Sequence, residues 1–362
     1  MKYALFIMHY FVPLQRKIPR KMKKFDTRTY LYIAAAGMII ILALVIIYML
    51  TPVSKAETTQ YVYIDDNDTQ DSVIAKVGVF SHTAGMTGLT TLIRHSNYSE
   101  HIRTGRYAIE PNEGAFVVFR HLKQGRQTSM MLTIPEVRTM DRLAAVLSRK
   151  LMLDSATIAT ALYDQETCQK LGYDTCTIAA MFVPNSYDIY WNVSLDKFLL
   201  RMQREHDRFW KGDREQKAAQ MQLTPNEVCT LASIIDEETA NNAEKSMIAG
   251  MYLNRLHEPM PLQADPTIKF ALKQFELKRI YNKLLNVDSP YNTYRNEGLP
   301  PGPIKVASVK GIDAVLNYVR HDYLYMCAKE DFSGTHNFAR TYKEHLQNAA
   351  KYTKALNERG IE

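Results

Sequence analysis

Glu238 is the residue whose type and neighbours point most directly to chemistry. It belongs to the stretch Leu231-Ala-Ser-Ile-Ile-Asp-Glu-Glu-Thr239, where three acids come after an apolar run. Thr224, Pro225 and Glu227 supply the hydroxyl, first-turn proline and carboxylate of a capping box, so a helix is predicted to start there. Val228, Leu231, Ala232 and Ile235 then recur at helical spacing and draw one apolar stripe. Continued by one step, the stripe lands on Glu238. At 3.6 residues per turn, Asp236 points roughly 200° away from Glu238 and Glu237 roughly 100° away. Asp236 and Glu237 are therefore predicted to be solvated, and Glu238 to face protein. A carboxyl placed there either meets a Lys or Arg at an ordinary helix end or has a raised pKa. The second case is what a general acid needs.

The pattern around this carboxyl names the elements that must hold it. A second helix is predicted over 242–256, with Met247, Ile248, Met251, Tyr252 and Leu256 on one face, making a helical hairpin. Residues 260–310 are dense in Pro, Gly, Asn and Tyr and read as ordered loops on a helical scaffold, where binding usually sits. Helices are expected over 309–318 and 342–357, with short strands near 323–326 and 334–338. Upstream, 73–80 alternates and reads as a strand, 87–95 as a short helix, 105–109 as a strand, 114–124 as an amphipathic helix, 129–134 as a strand and 139–151 as a helix. Strands and short helices thus alternate to about 155, the pattern of an α+β module.

Charge and hydropathy organise the rest. Eight of the 45 basic residues and one of the 38 acids lie in 1–30, which leaves 37 of each in the remainder. The formal charge of +7 is therefore a basic tail on a neutral body, and a nucleic-acid groove is not indicated. Leu31 to Leu50 is uncharged and apolar, and about 20 such residues span a bilayer. The basic flank places the N-terminus in the cytoplasm and 51–362 outside. A cleaved signal peptide, with Ser54 and Ala56 at its cleavage site, is the alternative to this uncleaved anchor. Met22 is an alternative start. Of the four cysteines, Cys168 and Cys176 flank a short loop and are candidates for a disulfide outside the cytoplasm. Cys229 reads as a core residue. No zinc spacing is present, and His336 and His345 lack a third ligand, so neither metal nor cofactor is expected.

ASIIDEET at 232–239, YLNRL at 252–256, LQADPT at 262–267, YNTY at 291–294, GLPPGPI at 298–304, YLYM at 323–326 and HNFA at 336–339, with EH next at 344–345, stand in one order at compatible spacing. This set resembles the endolytic murein transglycosylases, the MltG or YceG-like family. The resemblance covers roughly 70–362, and GRYAIEP at 105–111 is similar to the family's LysM-like portion. It implies a basic tail at 1–30, a transmembrane helix at 31–50, a linker at 51–72, a LysM-like α+β module at 73–155, a connecting region at 156–224 and a YceG-like catalytic domain with a glycan cleft at 225–362. It implies lytic cleavage of the β-1,4 bond from N-acetylmuramic acid to N-acetylglucosamine within peptidoglycan strands, single-pass inner-membrane topology with a periplasmic catalytic region, and work beside penicillin-binding synthases.

The family's essential glutamate falls on Glu238. Asp236 and Glu237 depart from the family string, and Glu237 is expected to raise Glu238 slightly by like-charge repulsion. Asp265 either orients Glu238 or a sugar hydroxyl, or is a turn residue before Pro266, and Gln263 divides the same way. Tyr291, Asn292 and Thr293 suit a glycan subsite or a loop packed by its tyrosines. Arg255 and Asp236 are expected to give structural support, Arg255 by clamping Asp236 or Glu237, and His336 is a lower-ranked substrate contact. Two other readings stand beside the lytic enzyme: a non-catalytic envelope glycan-binding protein, and a hydrolase using Asp265 as second carboxylate.

Overall fold

The computed structural model describes residues 26–277 and 280–359. Most of the basic tail, with Met22, lies outside the described residues. The chain forms two compact units.

The first unit comprises 26–60, 69–102 and 109–123. Its helices are α1 (Thr27–Leu50), α2 (Gln70–Gly78), α3 (Thr83–Arg94) and α4 (Ala115–Gln124). At 24 residues, α1 contains the predicted span and is long and apolar enough to cross a membrane. The expected strand at 73–80 is instead α2. Thr69 and Ser72 form a reciprocal capping box at its start, and Val73 and Val77 are buried one turn apart. Val53, Leu89, Ile93, Tyr98, Val118 and Leu122 of this unit are buried as well.

The second unit comprises 61–68, 103–108 and 124–359. Strand β1 (Gln60–Ile64) pairs with β2 (Gly105–Ile109). The stretch 51–72, expected as a linker, thus carries a strand and buries Val53, Ser54, Val62 and Ile64. Strand β3 (Met130–Thr133) runs antiparallel to β4 (Ser186–Ile189), with Leu132 opposite Tyr187. Around them lie α5 (Met140–Ser148), α6 (Ser155–Tyr163), α7 (Gln165–Lys170), α8 (Leu195–Trp210) and α9 (Asp213–Gln220). One apolar cluster of this unit gathers Leu132, Leu143, Leu147, Ile158, Leu162, Phe198 and Met202. Leu132, Leu143 and Leu147 therefore share a core with the helices α6 and α8, which lie beyond 155.

A second cluster of the same unit carries the candidate site. It joins α10 (Pro225–Glu238), α11 (Lys245–His257) and α13 (Val309–Leu316) through Val228, Leu231, Ile235, Ile248, Tyr252 and Ile312, and Phe270 of α12 (Asp265–Ala271) packs against it. Next come a hairpin, β5 (Tyr325–Ala328) antiparallel to β6 (His336–Ala339), and the last helix, α14 (Tyr342–Glu358). The fold is α+β, as expected. Helix α12 falls in a segment whose composition reads as loop. Its Asp-Pro-Thr opening looks like a turn, but Pro266 sits in a first helical turn, where its missing N–H costs nothing. The four cysteines are free, so the Cys168–Cys176 bridge that the sequence leaves open is not formed. Cys168 is buried, with its Sγ 3.5 Å from the Leu162 carbonyl.

Candidate active site

Helix α10 begins as its sequence dictates: the Thr224 hydroxyl accepts from the Glu227 N–H, and the Glu227 carboxylate accepts from the Thr224 N–H at 2.7 Å. Residues Val228 to Ile235 are all buried. That anchoring fixes the phase in which the three acids emerge at the other end. Each acid has a different fate.

Asp236, predicted to be solvated, is buried instead; its side chain is 1% exposed. One oxygen accepts from Lys245 Nζ at 2.6 Å and from Ser308 Oγ at 2.8 Å, and the other accepts from the Ser308 N–H at 2.6 Å. Ser308 caps α13, so Asp236 ties the first turn of α13 to both hairpin helices. Gly311 is required by this packing, because a Cβ there would stand 2.6 Å from the Asp236 carboxylate. Glu237 pairs with Arg138 at 2.8 Å and with Lys305 at 3.4 Å. Burial raises its pKa, but the two cations outweigh burial and hold it below the usual value. Its charge is thereby compensated, and it is not among the groups that raise Glu238.

Glu238 lines a cavity of about 240 Å³. The cavity is walled by Tyr252 and Arg255 of α11, by Gln263 and Asp265, by Tyr294, and by the hairpin residues Met326 to Ala328 and His336. Tyr252, itself buried, donates its hydroxyl to Glu238 Oε1 at 2.9 Å. Burial pushes the Glu238 carboxyl up to about 7 from an ordinary 4.5. The Tyr252 bond, Lys269 and Arg255 work against the rise, and the Asp265 charge adds to it. Asp265, rather than Glu237, is thus the acid that tunes Glu238.

The other expected site residues divide. Gln263, Asp265, Arg255 and His336 reach the cavity. Gln263 adopts φ +50°, a left-handed backbone that is uncommon for a side-chain-bearing residue, and its N–H donates to the Thr293 carbonyl at 3.0 Å. Asp265 accepts from Tyr294 Oη. His336 is fixed by Glu244, which accepts from its N–H at 2.7 Å and pairs with Nδ1 at 2.9 Å. Arg255 clamps neither Asp236 nor Glu237. It donates to the carbonyls of Leu324 at 2.6 Å, Leu262 at 2.7 Å and Pro261 at 3.2 Å, and so joins the loop before α12 to the approach of β5.

Asn292 and Thr293 do not line the cavity. They are 0% and 1% exposed, so no ligand can touch them. The Asn292 amide donates to the Leu285 and Val287 carbonyls, both at 2.8 Å, and its Oδ1 accepts from the Tyr294 N–H at 3.0 Å. Thr293 Oγ1 accepts from the Ala264 N–H at 3.0 Å and meets Thr267 Oγ1 at 2.9 Å. Both residues build the walls rather than the surface of the site. Tyr291 packs on Phe270 at 4.7 Å between ring centres, beside a different cavity.

The groups that sequence reasoning misses are Tyr252, Tyr294, Glu244, Lys245 and Lys269. Periodicity puts Tyr252 on an apolar stripe, which is correct for its ring. A tyrosine fourteen positions beyond a buried glutamate, on the other arm of a hairpin, is the signal that would find it.

A hydrogen-bonded carboxyl raised by burial to about 7, in a polar-walled cavity, has the attributes that general acid–base chemistry requires. The sequence matches the YceG-like family over residues 62–351, and the chain belongs to that family. It is 41% identical over 137 residues to an endolytic murein transglycosylase of Bacillus subtilis, an alignment covering 38% of this chain and 37% of that protein. It is 23% identical over 346 residues to an endolytic murein transglycosylase of Streptococcus pneumoniae, covering 85% of this chain and 62% of the relative. The chain thus spans less than two thirds of the length of these relatives. Its fold is similar to the crystal structure of a YceG-like protein from Listeria monocytogenes, with a TM-score of 0.52 at 24% identity over 81% of this chain and 99% of that one.

Proposed function

We propose that the chain is an endolytic peptidoglycan transglycosylase with Glu238 as its single acid–base group. The observation that carries this reading is the Glu238 carboxyl, buried against Tyr252 and raised to about 7 in a cavity open to ligand. Lytic cleavage asks one group to do two jobs. Glu238, as the acid, protonates the bridging oxygen as the muramyl C1–O bond breaks. The muramyl C6 hydroxyl adds to C1, and the Glu238 carboxylate accepts the hydroxyl proton. The proton returns to its starting place, no water is consumed, and a 1,6-anhydro end results. A carboxyl with its pKa near the working pH serves both halves.

Asp265 and Tyr294 act in this reading as positioning groups for Glu238 or a sugar hydroxyl, and Gln263, Arg255 and His336 as cavity contacts. The names of the Bacillus and Streptococcus relatives support the substrate class. The domain reading (a LysM-like module at 73–155, a connecting region at 156–224 and a catalytic domain at 225–362), anchoring through α1 with the catalytic region outside, and work beside penicillin-binding synthases belong to the same proposal.

Incubating the chain from residue 51 onward, which keeps the buried Val53 and Ser54, with purified peptidoglycan and weighing the products tests it. Ends lighter by one water, absent with Glu238→Gln, are expected. Reducing ends would instead favour the hydrolase with Asp265 as second carboxylate, which lines the same cavity.

A further inference from the structure

A second cavity, of about 190 Å³, lies at the far end of α12. Its walls are mostly carbon: Met140, Ile178, Phe270, Phe275 and Tyr291. Phe270 packs on Tyr291 at 4.7 Å and on Phe275 at 6.4 Å between ring centres. Two cations, Arg138 and Lys273, stand in the lining. The Arg138 guanidinium lies 5.5 Å from the Phe275 ring centre while it holds Glu237. Lys273 is exposed and sits just past α12 at φ +54°. The acid in the lining, Asp141, accepts from Tyr163 Oη at 2.7 Å.

We propose that this cavity binds the peptide carried by the glycan strand, which presents small apolar side chains and carboxylates. This rests on the peptidoglycan reading above. The carbon-rich part of the wall suits methyl groups, and Thr139 and Thr175 beside it can meet peptide N–H and C=O groups. Lys273 at the mouth suits a carboxylate. Asp265, at the start of α12, faces the Glu238 cavity, while Phe270 walls this one. Five residues of helix separate them by about 8 Å. In this proposal a muramyl residue at Glu238 extends its peptide along α12 into the second cavity. Arg138 links the two regions, since it lines the peptide cavity and holds Glu237, the neighbour of Glu238.

Stem peptide released from peptidoglycan by an amidase is the probe, titrated calorimetrically into the full chain bearing Glu238→Gln. Binding is expected. It should weaken by about tenfold when the peptide carboxylates are amidated, and by a similar factor with Lys273→Glu. A second arm compares cleavage of peptide-bearing and amidase-stripped glycan by the chain with native Glu238. The loss caused by Lys273→Glu should be about tenfold greater on the peptide-bearing strand. No binding of the peptide, equal binding of its amidated form, or equal losses on both strands would overturn the proposal. Cleavage that survives Glu238→Gln would instead strike the catalytic reading, and the binding arm reports on the cavity regardless.

Discussion

Two carboxylates at the end of one helix, Asp236 and Glu238, occupy opposite kinds of surroundings. Asp236 is enclosed by a cation, a hydroxyl and a backbone N–H, all within 2.8 Å. Glu238 has a tyrosine hydroxyl at 2.9 Å and a cavity beyond it. The first arrangement gives the carboxylate three close donors and leaves it nothing to do but hold α10, α11 and α13 together. The second disfavours the charged form and leaves the group free to exchange a proton. Burial by itself does not make a catalytic carboxyl; burial with few partners and an open side does.

Substitutions at the two positions should therefore fail differently. The largest effect is expected from Glu238→Gln, which should lower peptidoglycan cleavage by about 10²- to 10⁴-fold while the melting temperature holds or rises. Asp236→Ala should act on the fold. It strands buried Lys245 and loosens the start of α13, at a cost of about 3–5 kcal/mol measurable by denaturant unfolding. If Asp236→Ala unfolded no more easily than the parent, the comparison would collapse. Gly311→Ala should test the same contact from the other side, costing about 1–3 kcal/mol as the added methyl pushes on the Asp236 carboxylate.

Smaller effects sharpen the Glu238 side. Tyr252→Phe removes the donor that favours the Glu238 carboxylate, so the Glu238 pKa should climb beyond about 7 and the pH–rate profile should move to higher pH. Its stability cost should be about 1 kcal/mol. The pH dependence of unfolding should also carry Glu238's mark. With the folded pKa above the unfolded one, the native state holds a proton that the unfolded state has lost between about 4.5 and about 7. Stability from this group therefore falls as pH rises through that window and levels off above it. Glu238→Gln should remove that slope, which unfolding curves at pH 5 and pH 8 would check.

The sequence is informative where the controlling interactions are local. The capping box at Thr224 and the stripe from Val228 to Ile235 set the phase of α10, and the phase aims Glu238 at the site. The same phase misplaces Asp236, because the partners that bury it, Lys245 and above all Ser308, lie on other elements, and helical periodicity cannot see across a fold. Val73 to Phe80 alternates weakly, yet Thr69 and Ser72 cap a helix there, so local capping outranks the period-2 pattern. Asn292 and Thr293 look like ligand contacts by residue type. They are buried because an irregular loop leaves backbone groups that their side chains must satisfy. Polar side chains in a Pro- and Gly-rich segment can therefore serve the loop itself.

The pKa of Glu238 is the most direct test of the central claim. Carboxyl-labelled glutamate in the intact chain, tracked by carbon NMR across pH and assigned by the signal lost in Glu238→Gln, would report it in one titration. A midpoint near 7 is predicted. A midpoint near 4.5, with the fold intact, would contradict the claim that this carboxyl is held ready as a general acid.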